Sequence, residues 1–241
     1  VPTEDFAVEK FEEIPRKALA IYAHPDDPEV GAGGTLAKWA LAGCEVHVLV
    51  CTKGDKGAFD GSVRPEELAA QRLQESLAAS RLLGLAGRHD LGIPDGELDE
   101  RDLIGQLVTW IRRLAPEVVL CPDPTAVFFG SRYFNHRDHR QVGWAALDAV
   151  SPAASLPLYF PDAGPPHQVS VVLMSGTLEA DCWVDISEQA VLKADAVCCH
   201  ESQLHDPRQA EHDRVLRRAR EAGSVVGVPG AELFRRLTLE A

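Results

Sequence analysis

The sequence predicts an α/β fold, an open and mainly parallel sheet doubly wound with helices on both faces, and two observations carry the prediction. Short, continuously apolar runs alternate with segments whose apolar residues recur at helical spacing, and the runs are too uniformly apolar for strands with one face in water. In order, residues 18–23 (ALAIYA) form a first strand that ends in a polar loop. Residues 34–42 (GTLAKWALA) follow as a helix closed by Gly43, a glycine placed where helices end. The valine-rich residues 45–52 (EVHVLVCT) are the second strand. A helix over 65–83, a short strand near Asp90, a helix over 99–114 and a fourth buried strand at 118–121 (VVLC) continue the alternation. Beyond Val150 the sequence predicts a strand at 169–174 (VSVVLM), another around Trp183 and a helix over 187–200. No repeat, low-complexity tract or linker marks a boundary, so a single domain is expected over residues 1–241.

Composition narrows the partners. With 24 Lys+Arg against 37 Asp+Glu, the net charge of −13 excludes the basic face that nucleic-acid backbones require. No apolar run approaches the roughly 20 residues of a membrane span. The opening VPTEDFAVEKFEEIPRK lacks the basic-then-apolar order of a signal peptide, so a soluble, cytoplasmic protein is expected. The cysteines (Cys44, Cys51, Cys121, Cys182, Cys198 and Cys199) contain no C-x-x-C pair and are expected as reduced, mostly buried small hydrophobes. Cys198 and Cys199 point about 100° apart on a helix and are poorly placed to share a metal.

In open parallel sheets, ligands bind at the carboxyl ends of the strands, where strand order reverses. Those ends read His24-Pro25-Asp26-Asp27, then Lys53-Gly54-Asp55, then Gly92-Ile93-Pro94-Asp95, then the long stretch from Pro122 to His139. His24 and Asp27 offer an imidazole and a carboxylate, both good zinc donors, with a second carboxylate, Asp26, between them. A catalytic zinc takes three protein ligands, and His136-Arg137-Asp138-His139 offers two histidines at i and i+3. The segments converge if the first and fourth strands are neighbours. Each motif alone has a plain alternative: an H-x-x-H pair on a surface, or an H-x-D-D turn whose carboxylates cap a helix. A dinucleotide site at Gly31-Ala32-Gly33-Gly34 would need glycine where Leu36 stands and an acidic residue where the second strand ends in Thr52-Lys53.

The run Ala23-His24-Pro25-Asp26-Asp27-Pro28-Glu29-Val30-Gly31-Ala32-Gly33-Gly34, followed about a hundred residues later by Asn135-His136-Arg137-Asp138-His139-Arg140, resembles the zinc-dependent N-deacetylases of the PIG-L/LmbE family. The resemblance extends to about Gln203. It implies a Rossmann-like fold, zinc or another divalent transition metal on His24, Asp27 and His139, Asp26 as catalytic base and His136 as oxyanion stabiliser. Arg137 departs from the proline of many members without altering the ligand spacing. Arg72 resembles the family's substrate-contacting arginine, with a solvated helix arginine as the alternative. Asp95 suits sugar hydroxyls or a Pro-Asp-Gly turn. Lys193 with His200-Glu201-Ser202-Gln203 resembles a downstream element near the site, making His200 a substrate-binding candidate, although a histidine at a helix C-terminus needs no ligand.

The chemistry of the donor set agrees. Two neutral histidines and one carboxylate leave a zinc site net positive, so bound water ionises at a pKa of about 7, and Asp26 is free to take the proton. The expected activity is hydrolysis of an acetyl or small acyl group from the amine of an N-acetylglucosamine-like small molecule. The competing functions are an amidase acting on a thiol-sugar conjugate and a non-catalytic sugar- or nucleotide-binding protein. Specificity is expected in residues 122–135, with Phe128, Phe129, Tyr133 and Phe134 as an apolar wall unless they join the core, and in residues 161–167. A homo-oligomer is compatible with the sequence.

Overall fold

The computed structural model describes residues 8–131 and 133–239. In chain order its main elements are β1 (Glu9–Lys10), β2 (Lys17–Tyr22), α1 (Asp27–Leu41), β3 (Glu45–Thr52), α2 (Pro65–Leu82), β4 (Gly87–Ile93), α3 (Glu100–Leu114), β5 (Val118–Pro122), β6 (Phe128–Phe129), β7 (Tyr133–Phe134), α4 (Arg137–Asp148), β8 (Val171–Ser175), β9 (Cys182–Asp185), α5 (Ala190–Val197), α6 (Arg208–Val226) and β10 (Ala231–Thr238). The sheet runs β1-β9-β10-β8-β5-β2-β3-β4. β2 pairs parallel with both β3 and β5, so the first and fourth predicted strands are neighbours and strand order reverses between them. Within this sheet, among the described residues, only β10 runs antiparallel, to β8 and to β9.

Alternation along β2 shows why its sequence is apolar throughout. Leu19 and Ile21 enter one core with Leu107 and Ile111 of α3 and Val142 of α4. Ala18, Ala20 and Tyr22 enter the other with Leu36 and Trp39 of α1 and Phe234 of β10. Both faces are dry, as parallel strands under helices require.

Some boundaries differ from the prediction. α1 begins at Asp27 rather than at Gly34, with Pro28 in its first turn. The glycines that interrupt its apolar pattern serve close packing: a Cβ on Gly34 would lie 2.7–2.9 Å from Ile186. The hairpin β6–β7, helix α6 and strand β10 were not predicted. α6 buries Glu211, Val215, Ala219 and Gly223, one residue in four, and of these only Val215 and Ala219 carry apolar side chains, so no broad apolar stripe announces it. His47 and His89 hydrogen-bond each other at 3.1 Å across β3 and β4, and His89 packs on Trp110. All six cysteines are free, with only Cys199 partly exposed. Among the described residues no helix is long and apolar enough to cross a membrane.

Candidate active site

β2 delivers His24 to the sheet edge, and Asp27 Oδ2 folds back to accept the His24 backbone N–H at 2.7 Å. Asp26 stands at the N-cap of α1 but makes no capping bond. Its Oδ1 instead accepts a hydrogen bond from Arg72 Nη2 at 2.6 Å. Across the switch point, the Asn135 backbone bonds to Val127 at the end of the hairpin, and His136 is the N-cap of α4. His139 therefore sits in the first turn of α4 and turns toward β2.

The two segments meet as a triangle of donor atoms. His24 Nδ1, Asp27 Oδ2 and His139 Nε2 lie 3.1–3.2 Å from one another. Such edges match a tetrahedral ion with ligands at about 2.0–2.1 Å, the distances of zinc to imidazole and carboxylate. The outer partners set the tautomers. His139 Nδ1 faces Asn135 Oδ1 at 2.8 Å, and Asn135 is itself held by its amide on the Ala126 carbonyl. His24 Nε2 faces Asp138 Oδ2 at 3.6 Å and Asp95 Oδ1 at 3.8 Å. Each ring thus turns one nitrogen outward and the other into the triangle, the usual support for metal-binding histidines. A looser set swaps Asp27 for His136, whose ring nitrogen is within 4.8 Å of those of His24 and His139. The tighter, charged set with Asp27 suits a dication better.

Electrostatics points the same way. Burial opposes a charge on His24, but Asp27, Asp138 and Asp95 reverse this and raise its pKa to about 10. Burial likewise works against the Asp27 carboxylate, yet His139 and His24 hold it well below the usual carboxylate range. The pocket favours positive charge among these carboxylates, a demand that a cation meets as well as protons do. His136 stacks on His139 with ring centroids 5.0 Å apart. Burial, then the His139 and His24 charges, hold His136 below the ordinary histidine range.

A family model described as PIG-L: GlcNAc-PI de-N-acetylase matches residues 19–150. The chain belongs to the PIG-L family. It is 38% identical over 206 residues to the diacetylchitobiose deacetylase of Thermococcus kodakarensis, covering 83% of this chain and 74% of that one. It is 30% identical over 183 residues to the 1D-myo-inositol 2-acetamido-2-deoxy-alpha-D-glucopyranoside deacetylase of Streptomyces avermitilis, an alignment spanning 65% of this chain and only 60% of that relative. Among solved structures it is similar to the N,N'-diacetylchitobiose deacetylase of Pyrococcus horikoshii, with a TM-score of 0.84 and 31% identity over 93% of this chain and 84% of that one.

Within this PIG-L fold the secondary candidates fall differently from the sequence expectation. Arg72 is not solvated. It is 3% exposed, bonds to Asp26 and to the Gly54 carbonyl, and lines the cavity of about 510 Å³ that opens onto the triangle. Gly54 is required beside it: φ is +67°, and a Cβ would come within 2.5–2.7 Å of the guanidinium. Asp95 lines the same cavity, and its carboxylate accepts the backbone N–H groups of Gly54 and Lys56, so it clamps that loop as a turn carboxylate would. His200 is a correction. At 1% exposure it is buried with Nε2 3.2 Å from Glu29, and it is not among the residues that line the cavity. Gln203, three residues on, does line it. Lys193 is buried against Glu232. Residues 161–167 are a second correction. They pack by α3 near the amino end of β5, where Arg112 bonds the Phe160 and Gly164 carbonyls and His167 bonds that of Pro116. Phe128 and Phe134 stand exposed on the hairpin rather than in the core. Sequence reasoning missed Asn135 and Asp138 as supports, although both lie inside the motif that carries His136 and His139.

Proposed function

We propose that this PIG-L protein is a metal-dependent N-deacetylase that releases acetate from an N-acetylglucosamine-like sugar, with zinc as its metal and another divalent transition metal as the alternative. The observation that carries the reading is the donor triangle of His24, Asp27 and His139 beside Asp26, in a cavity lined by Lys56, Arg72 and Gln203. The deacetylase names of the relatives support it. The same reading makes residues 1–241 one catalytic domain acting on a small N-acetylated molecule in the cytoplasm.

Zinc in this site would supply Lewis acidity toward the acetamide carbonyl and lower the pKa of water. Asp26, one-quarter exposed and fixed by Arg72, accepts the proton of the attacking water and returns it to the departing amine, which cannot leave as an anion. His136, at the cavity rim, presents a ring N–H to the oxygen on which negative charge develops. Lys56, Arg72 and Gln203 offer donors for the sugar hydroxyls.

Acetate release across N-acetylglucosaminides that differ only in aglycone, with and without a chelator, tests the reading. The expected result is metal-free protein at least a hundredfold slower and restored by zinc. Equal rates with and without the chelator overturn it. Support of the ligands is testable separately: Asn135→Ala should weaken zinc affinity about 10- to 100-fold in a competition titration with a chromophoric chelator. Unchanged affinity would refute the role given to Asn135.

A further inference from the structure

A second cavity, of about 560 Å³, meets the first at Asp27 and His139. Its walls include Val30, Pro122, Phe129 and Tyr133. Two of its polar groups are spent within the wall: Tyr22 Oη bonds Ser175 Oγ at 2.8 Å, and Asn135 is taken up by His139 and the Ala126 carbonyl. The one charged side chain besides the shared Asp27 and His139 is Arg218, which is exposed on α6, so the rest of the wall offers hydrocarbon more than hydrogen-bonding groups.

We infer that this cavity is an acyl site that takes an unbranched apolar chain longer than acetyl, making the protein an N-deacylase of wider scope. The inference rests on the deacetylase reading above and follows from the direction of proton transfer. The scissile amide has a nitrogen side and an acyl side. Its nitrogen must face Asp26, which returns the proton, and Asp26 and Arg72 line only the first, polar cavity. The sugar and its aglycone therefore lie in that cavity, and the acyl carbon chain points past Asp27 and His139 into the apolar one. Chemistry at the carbonyl is independent of chain length: the water oxygen bonds to the acyl carbon, the C–N bond breaks, and the products are a carboxylate and a protonated amine. Each methylene placed in the apolar cavity leaves water, which favours longer chains until the space is filled.

The test compares N-acetyl-, N-butanoyl- and N-hexanoylglucosamine with the zinc-loaded full chain. The expected kcat/KM for the hexanoyl compound equals or exceeds that for acetyl, and a lower value overturns the inference. Val30 is 46% exposed on α1 at the cavity wall, so a larger side chain can be introduced there without invading the core. Val30→Trp should lower the hexanoyl-to-acetyl ratio at least tenfold, and an unchanged ratio also overturns it. Acetyl hydrolysis with poor hexanoyl hydrolysis removes the acyl site and leaves the deacetylase reading standing. Hydrolysis of none of the three removes both.

Discussion

Asp26→Asn is expected to lower kcat by about 10²- to 10⁴-fold, the range that a positioned general acid–base contributes, while zinc still binds at one ion per chain. The substitution is chosen for what it retains. Asparagine has the same shape, and its carbonyl oxygen can still accept the Arg72 Nη2 bond that Asp26 Oδ1 now holds at 2.6 Å. What it loses is the capacity to take a proton from water and pass it to the amine. Because Asp26 caps nothing and its neighbour Asp27 supplies the donor atom to the triangle, neither the turn nor the ligand set depends on its charge. Steady-state kinetics with parallel metal analysis makes the check. A variant that is fully loaded and turns over at the parental rate would show that another group moves the proton. A variant that loses the metal would show instead that Asp26 belongs to the ligand set.

Legibility from sequence followed physical range. The parallel half of the sheet was readable because β2, β3, β5 and β8 are dry on both faces, which leaves uninterrupted apolar runs. The convergence of His24 with His139 was readable because ligand sites in such sheets follow a topological rule, and β2 beside β5 satisfies it. The environment of side chains at the edge of that site was not readable. Asp95 had the spacing of a turn carboxylate, and only the tertiary approach of residues 54–56 shows where its oxygens are engaged. His200 was placed near the site in sequence terms, yet its ring is buried against the carboxylate of Glu29 rather than turned into the cavity. Strand β10 was invisible because its residues, AELFRRLT, set Leu233 beside Phe234 and Arg235 beside Arg236 and so break the alternation that marks a strand. It lies between β8 and β9 through long-range pairing alone.

That strand also carries the largest expected effect on stability, through Glu232. Lys193→Met should cost about 3–5 kcal/mol, the range for removing one partner of a buried ion pair. For a chain of this size that corresponds to a fall in Tm of roughly 6–20 °C. The cost arises from what is left behind. Glu232 is 5% exposed, and its oxygens accept the backbone N–H groups of Gly34 and Thr35 and the Thr35 hydroxyl, while Lys193 Nζ, 2.6 Å away, supplies the positive charge. Lys193 also donates to the Val30 carbonyl, so α1, α5 and β10 are joined through one ammonium. Methionine fills the volume of the lysine stem but leaves an anion without its cation. The double variant Lys193→Met/Glu232→Gln tests that cause, because a neutral amide oxygen can still accept the Thr35 and Gly34 bonds without needing a counter-charge. It should recover at least half of the lost stability, as a double-mutant cycle on thermal melts would show. If the single variant melts within 2 °C of the parent, the charge on Glu232 is met by water or by a proton, and the pair is not what holds α1 to the sheet. If the double variant is no better than the single one, the loss lies in packing around the lysine stem rather than in the unpaired anion.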